Sequence, residues 1–213
     1  MKKNHNKNRA GKTRLSFIGD HYGPRISPDR PHFEILDWAS AESQKARFSI
    51  LADNVNLAGK KLLDVGCGLG DLFGFLREQN ILVHYTGVDL LAKMVQAARK
   101  IHPAGVFVQA DLFQNNPFDG ECFDVVFCSG AFNLNLGNNK EFLRLAIRAL
   151  YSLTKEHLVF NLLHRRAAAQ EETYYYYDPS AVMPALKSLN CKVDIIDDYL
   201  HNDFTVICTK TAN

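Results

Sequence analysis

No stretch of this chain approaches eighteen consecutive apolar residues, and no apolar segment follows the charged opening MKKNHNKNRAGKTR. A membrane span and a secretory signal are therefore not expected, and a cytoplasmic location is. Cysteine is scarce: Cys67, Cys122, Cys128, Cys191 and Cys208 are odd in number and include no C-x-x-C pair. That pattern argues against a disulfide framework and a structural zinc site, so reduced thiols and no bound metal are expected. Tryptophan occurs once, at Trp38, and low complexity is confined to Tyr174–Tyr177. What the chain does hold is 213 residues, 46% of them hydrophobic, with 14 Phe and 8 Tyr. That is material for one buried core and excludes intrinsic disorder for most of the length.

Charge is unevenly placed. Lys2, Lys3, Lys7, Arg9, Lys12 and Arg14 put six positive charges and no acid in the first fourteen residues, against a chain total of +2, so the remainder carries −4. Residues 1–16 read as a basic, flexible arm; it could grip phosphates, but a solvated terminus explains it as well. Residues 17–213 read as a single domain whose first part, 17–58, covers the rest. Within that cover, Pro24, Pro28 and Pro31 suggest an extended segment, and the apolar positions Leu36, Trp38, Ala41, Phe48, Ile50, Leu51 and Val55 suggest one or two helices between Asp37 and Asn56.

From Gly59 onward strand and helix patterns alternate. Strands are expected at Leu62–Val65, Val83–Val88, Gly105–Gln109, Phe123–Cys128, His157–Asn161, Lys192–Asp198 and Phe204–Thr209. Helices are expected at Asp71–Glu78, Ala92–Ile101, Lys140–Leu150 and Pro179–Leu189. Helix-length connections demand crossovers and a parallel sheet covered on both faces. Leu200–Asp203 is too short for a crossover, so the last two strands must form an antiparallel hairpin. The fold class is α/β: a Rossmann-like, mostly parallel seven-stranded sheet with a terminal hairpin and an N-terminal helical cover.

Three strand tips carry chemistry. The first runs into Asp64-Val-Gly66-Cys67-Gly68-Leu-Gly70 and then a helix. Glycines there let the backbone turn and approach a ligand, beside the free N–H groups of a helix start. The spacing is G-x-G-x-G, followed by Asp71 where a dinucleotide fingerprint has its third glycine, and no Gly-Lys-Ser/Thr follows, which disfavours both pyrophosphate cradles. The second tip ends in Asp89, an acid able to accept from both hydroxyls of a ribose. The third ends in Asp111-Leu112, a carboxylate able to accept from an exocyclic adenine amine beside an apolar side chain. Any one of these aspartates could be a cap or turn residue; three in order are harder to explain that way.

With LLDVGCGLGDL, GVDLLAKM, QADLF and FDVVFCSGAFN in this order, the chain resembles the class I S-adenosylmethionine-dependent methyltransferases from about Gly59 to Lys210. The resemblance implies S-adenosylmethionine as cofactor and S-adenosylhomocysteine as product. It implies that Asp64, Gly66, Cys67, Gly68 and Gly70 line the methionine and sugar, that Asp89 holds the ribose, and that Leu90 and Met94 flank the adenine. Asp111 would meet the adenine amine with Leu112 beside the ring, and Ser129 would face the sulfonium.

The Asn-Pro-Pro-Tyr-like fourth-strand motif of enzymes that methylate adenine or glutamine nitrogen is replaced by Ser129-Gly-Ala-Phe-Asn133, so nucleobase methylation is not expected. Cys128 reads as a core thiol rather than a nucleophile. His21, Tyr22, Arg25, Trp38, Gln44 and Arg47 are candidates for the cover of the pocket, with Arg47 able to pair with the methionine carboxylate. His164, just beyond the fifth strand tip near Asn161, and His21 are the candidate general bases. The expected reaction is methyl transfer to oxygen or nitrogen of a small-molecule acceptor. The alternatives are RNA methylation through the basic arm, or a cofactor-binding module without catalysis.

Overall fold

Alternation of buried side chains along the central strands sorts the core into two layers. The computed structural model describes residues 13–211, so Lys2, Lys3, Lys7, Arg9 and Lys12 of the basic arm lie outside the described residues. Strands β1 (Lys61–Val65), β2 (His84–Asp89), β3 (Val106–Gln109), β4 (Phe123–Cys128), β5 (Thr154–Leu163), β6 (Cys191–Ile196) and β7 (Asp203–Lys210) form one sheet in the order β3-β2-β1-β4-β5-β7-β6. Leu62, Val125, Phe127, Val159 and Ile207 face one side, and Leu63, Val126, Phe160, Val206 and Cys208 face the other. Period-two alternation in a sheet buried on both faces produces this division.

Helices α3 (Ala41–Asn54), α4 (Asp71–Glu78) and α5 (Ala92–Ile101) cover the first face through Phe48, Leu51, Leu72, Leu76, Val95 and Ala98. Helices α6 (Asn139–Leu153) and α7 (Pro179–Leu186) cover the second through Leu143, Ile147, Leu150, Val182 and Leu186. Each fully buried Leu or Phe contributes about 1.5–3 kcal/mol relative to an exposed one. Among the described residues no helix is long and apolar enough to cross a membrane.

Parallel pairing holds from β3 to β5, and β7 runs antiparallel to both β5 and β6. The terminal hairpin is thus present, with its second strand inserted inside the sheet. Because β1 pairs with β2 on one side and β4 on the other, the chain reverses its direction of travel there. A crevice opens at the carboxyl ends of two such strands, where ligands bind in open α/β sheets.

The cover departs most from expectation. Helix α1 (Arg14–Tyr22) occupies residues read as arm and extended chain; its cap is Thr13, whose hydroxyl accepts from Ser16 N at 3.2 Å. Pro24 enters a short 3-10 turn, Gly23–Arg25, at a position where the missing N–H costs nothing. A one-turn helix α2 (His32–Ile35) follows Pro31. Between α2 and α3, Asp37 adopts a left-handed backbone at φ 63°, and Ser40 and Ser43 cap α3 reciprocally.

Candidate active site

The glycine turn after β1 is a backbone construction. Gly66 N and Cys67 N both donate to Val88 O, at 2.8 and 3.1 Å, which locks the turn to the end of β2. Asp89 completes the lock: Oδ2 accepts from Gly68 N at 3.0 Å and Oδ1 from Leu91 N at 2.8 Å. Gly68 lies at φ 54°, and a Cβ there would come within 2.6 Å of Leu36 Cδ2 in the cover. Glycine is needed for both reasons. Burial raises the pKa of Asp89 while the Leu91 and Gly68 amides oppose that rise. A carboxylate has about four lone-pair sites, so acceptor capacity remains for a ligand's hydroxyl.

Asp64 lies beneath the turn, 4% exposed, with Tyr85 Oη donating to its Oδ2 at 2.6 Å. Burial pushes its pKa up to about 7 against the pull of that hydrogen bond. Asp71, at the start of α4, fastens the cover to the turn: His32 Nδ1 lies 2.6 Å from its Oδ1, and Gln44 Nε2 donates to its Oδ2 at 2.8 Å. Asp71 in turn raises the pKa of His32.

A single pocket wall brings together Asp64, Gly66, Cys67, Gly68, Asp89, Leu90, Met94, Asp111, Leu112 and Ser129 of the expected residues. Gly70 stands just behind it as the left-handed N-cap of α4. The cover supplies Arg14, Ile18, Tyr22, Leu36, Asp37, Trp38, Gln44 and Phe48 to the same wall, and Asn133, Leu134 and Tyr174 complete it. Asp111 accepts from Phe113 N at 3.0 Å and pairs with Arg14, whose guanidinium lies over the rings of Phe113 and Phe142 at 4.9 and 5.0 Å. Burial raises the thiol pKa of both Cys67 and Cys128, so neither is poised as a nucleophile.

Two expected residues lie elsewhere. Arg47 turns away from the pocket wall and is 3% exposed; its Nε donates to Asp203 Oδ1 at 3.0 Å and its Nη2 to Asp203 Oδ2. It is also stacked 4.3 Å from the Trp38 ring centroid. A planar fork gives the pairing geometry anticipated for a methionine carboxylate, but the carboxylate is the protein's own. His164 is carried past the crevice because β5 continues to Leu163 rather than stopping at Asn161. Its Nδ1 accepts from Arg166 N at 3.0 Å, its ring packs edge-on against Phe204, and its Nε2 is 3.9 Å from Asp197.

His21 does reach the pocket's edge, through Asp37: Nε2 lies 2.7 Å from Asp37 Oδ2. Tyr174 Oη donates to the same oxygen, and Arg25 Nη2 is 3.5 Å from it. The His21 and Tyr174 hydrogen bonds hold the Asp37 pKa below the ordinary range, against its partial burial. Asp37 and Asn133 were not singled out from sequence. The nearest signals were the Asp preceding the single tryptophan and the end of the SGAFN segment.

Buried polar atoms without a partner mark where a ligand would complete the site. Ser129 Oγ and Asn133 Oδ1 are both buried and unpaired among the described residues. The donor set also fits a cation. Asp37, Asp64, Asp71, Asp89 and Asp111 line a wall whose only cationic side chain, among the described residues, is Arg14. Clustered carboxylates make such a cleft attractive to positive charge.

Residues 62–155 match the family described as a methyltransferase domain. Over 93 residues the chain is 39% identical to the phthiotriol/phenolphthiotriol dimycocerosates methyltransferase of Mycobacterium leprae (strain TN), covering 41% of this chain and 34% of that protein. Over 74 residues it is 35% identical to the trans-aconitate 2-methyltransferase of Paracidovorax citrulli (strain AAC00-1), covering 35% and 28% respectively. The matches therefore span about a third of these relatives' length. The fold is that of magnesium protoporphyrin IX methyltransferase from Synechocystis PCC 6803, solved with bound S-adenosylmethionine: TM-score 0.68 at 18% identity, covering 95% of this chain and 99% of that one.

Proposed function

We propose that this chain, which belongs to the class I S-adenosylmethionine-dependent methyltransferases, transfers a methyl group to an oxygen or nitrogen atom of a small-molecule acceptor. The observation that carries the reading is one pocket at the β1/β4 crevice that joins the glycine turn, the acidic strand tips and two unpaired buried polar atoms. Asp89 holds the ribose through the acceptor capacity that its backbone amides leave free. Asp111 and Leu112 receive the adenine with Leu90 and Met94, while Gly66, Cys67 and Gly68 line the methionine end. The bound cofactor supplies a methyl group already activated on a sulfonium. What remains for the protein is to hold the acceptor in line and exclude water, and positioning is worth about 7–11 kcal/mol in the best cases.

The absence of an activated thiol fits this division of labour. The acidic wall also favours a cationic cofactor and disfavours an anionic acceptor. The direct test is thermal and calorimetric titration with S-adenosylhomocysteine. A ligand that binds only the native state adds about 2.7 kcal/mol at a hundredfold excess over Kd. NAD at the same concentration is expected to give no comparable shift. Equal shifts from both, or none from S-adenosylhomocysteine, overturn the reading.

A further inference from the structure

Asp37 is a carboxylate with one oxygen fully engaged. His21, Tyr174 and Arg25 all converge on Oδ2, while Oδ1 has no partner among the described residues although Asp37 is on the pocket wall. Asn133 is on the same wall, 6% exposed, and its Oδ1 is unpaired. The two are linked structurally: Tyr174 bonds Asp37 through its hydroxyl and pairs with Leu134 through an isolated antiparallel bridge, and Tyr175 N donates to Asn133 O at 2.7 Å. Around them stand the apolar bodies of Trp38 and Tyr22. An unpaired buried acceptor costs about 1–3 kcal/mol, which a ligand's donor group would offset.

We infer that Asp37 and Asn133 form the acceptor subsite and select a neutral hydroxyl compound with an apolar body over an anionic one, an inference that rests on the methyl-transfer reading above. The two acceptor oxygens require a ligand that donates hydrogen bonds, which a carboxylate cannot do. An ammonium donates but keeps no lone pair for attack, whereas a hydroxyl offers both. As the hydroxyl oxygen gains its methyl and the donor's sulfur–carbon bond breaks to leave a neutral thioether, the hydroxyl proton passes to Asp37 Oδ1. A depressed carboxylate pKa is no obstacle, because a methylated oxygen still carrying its proton is a far stronger acid.

Trp38, the single tryptophan, lies on the pocket wall and reports occupancy by its emission. The experiment titrates protein saturated with S-adenosylhomocysteine using two non-absorbing probes: cyclohexane-1,2-diol, whose two hydroxyls supply one donor for each oxygen, and cyclohexanecarboxylate. The diol is expected to give a saturable change at least tenfold tighter than the carboxylate. Asp37→Asn should narrow that ratio to threefold or less, and asparagine tolerates the left-handed backbone at this position. Asn133→Ala should weaken the diol at least fivefold while S-adenosylhomocysteine affinity stays within threefold, and it serves as the test if Asp37→Asn does not fold. A carboxylate that binds as well as the diol, no saturable response, or ratios unchanged in the variants would each overturn the assignment. Failure of the wild-type protein to bind S-adenosylhomocysteine defeats the methyl-transfer reading instead; binding without hydroxyl preference defeats only the acceptor assignment.

Discussion

The two halves of the pocket are made by different means. The strand-tip half is held by main-chain groups close in sequence or paired along the sheet: Gly66, Cys67 and Gly68 amides, Val88 O, and the Asp89 carboxylate. The cover half is held by side-chain pairs between distant residues: Arg14 with Asp111, Gln44 with Asp71, Tyr174 with Asp37, and Arg47 with Asp203. A backbone construction constrains residue type locally, whereas a side-chain tie can be made by any complementary pair the fold brings together. The first is a rigid cradle and the second a set of separable fastenings, so mutations should affect them differently.

The largest effect is expected at the buried fastening. Asp203→Ala leaves the Arg47 guanidinium without its partner at 3% exposure, and removing one member of a buried pair costs about 3–5 kcal/mol. Urea denaturation should show that loss; a change below about 1 kcal/mol would mean the cover is not anchored there.

Next is the pH dependence set by Asp64. Its pKa of about 7 in the folded protein exceeds the unfolded value of about 3.9. The native state therefore binds the proton more tightly, so this contribution is full below about pH 4 and is lost as pH rises through about 7. Asp64→Asn should flatten that decline, on the order of 2–4 kcal/mol, in urea midpoints measured from pH 4 to 8.

Within the cradle, Asp89→Ala removes the acceptor of both the Gly68 and Leu91 amides along with the proposed ribose contact. Calorimetry should record at least a thirtyfold loss of S-adenosylhomocysteine affinity, about 2 kcal/mol. A wild-type affinity would mean the cradle does not hold the ribose. A smaller effect is expected from Arg14→Ala, which frees the Asp111 carboxylate for a ligand; affinity should rise about threefold, in line with a partly exposed pair. Smallest is His164→Ala, which should leave affinity within about twofold because this residue is off the pocket wall.

Legibility in the sequence followed the same division. Strand β4 and helices α4 and α5 have the ends expected from periodicity and glycine placement, and the three acidic strand tips converge as their order implied. The cover was obscure for physical reasons. Three prolines predict extended chain because each restricts the residue before it, whereas Thr13 caps α1 and the first turn of a helix tolerates Pro24. Arg47 carried the right chemistry but found Asp203, a partner 156 residues away that no local pattern announces. His164 was misplaced by the longer β5. Asp37 gained its surroundings only when α1 and the Tyr174 segment folded over it.

Strand β7 is synthesised after every other strand yet sits between β5 and β6. It also carries Asp203, the anchor of the cover that precedes β1. On a ribosome, β1 to β5 can emerge and pair in order and the cover can tie to Asp71 and Asp111, but Arg47 has no Asp203 to pair with until residue 203 has left the exit tunnel. Domains commonly assemble as they are synthesised, and contacts of long sequence separation are the slow ones to close. The nascent chain therefore passes through an interval in which Arg47 lacks its buried partner, and the last tie of the cover is made only when β7 is in place.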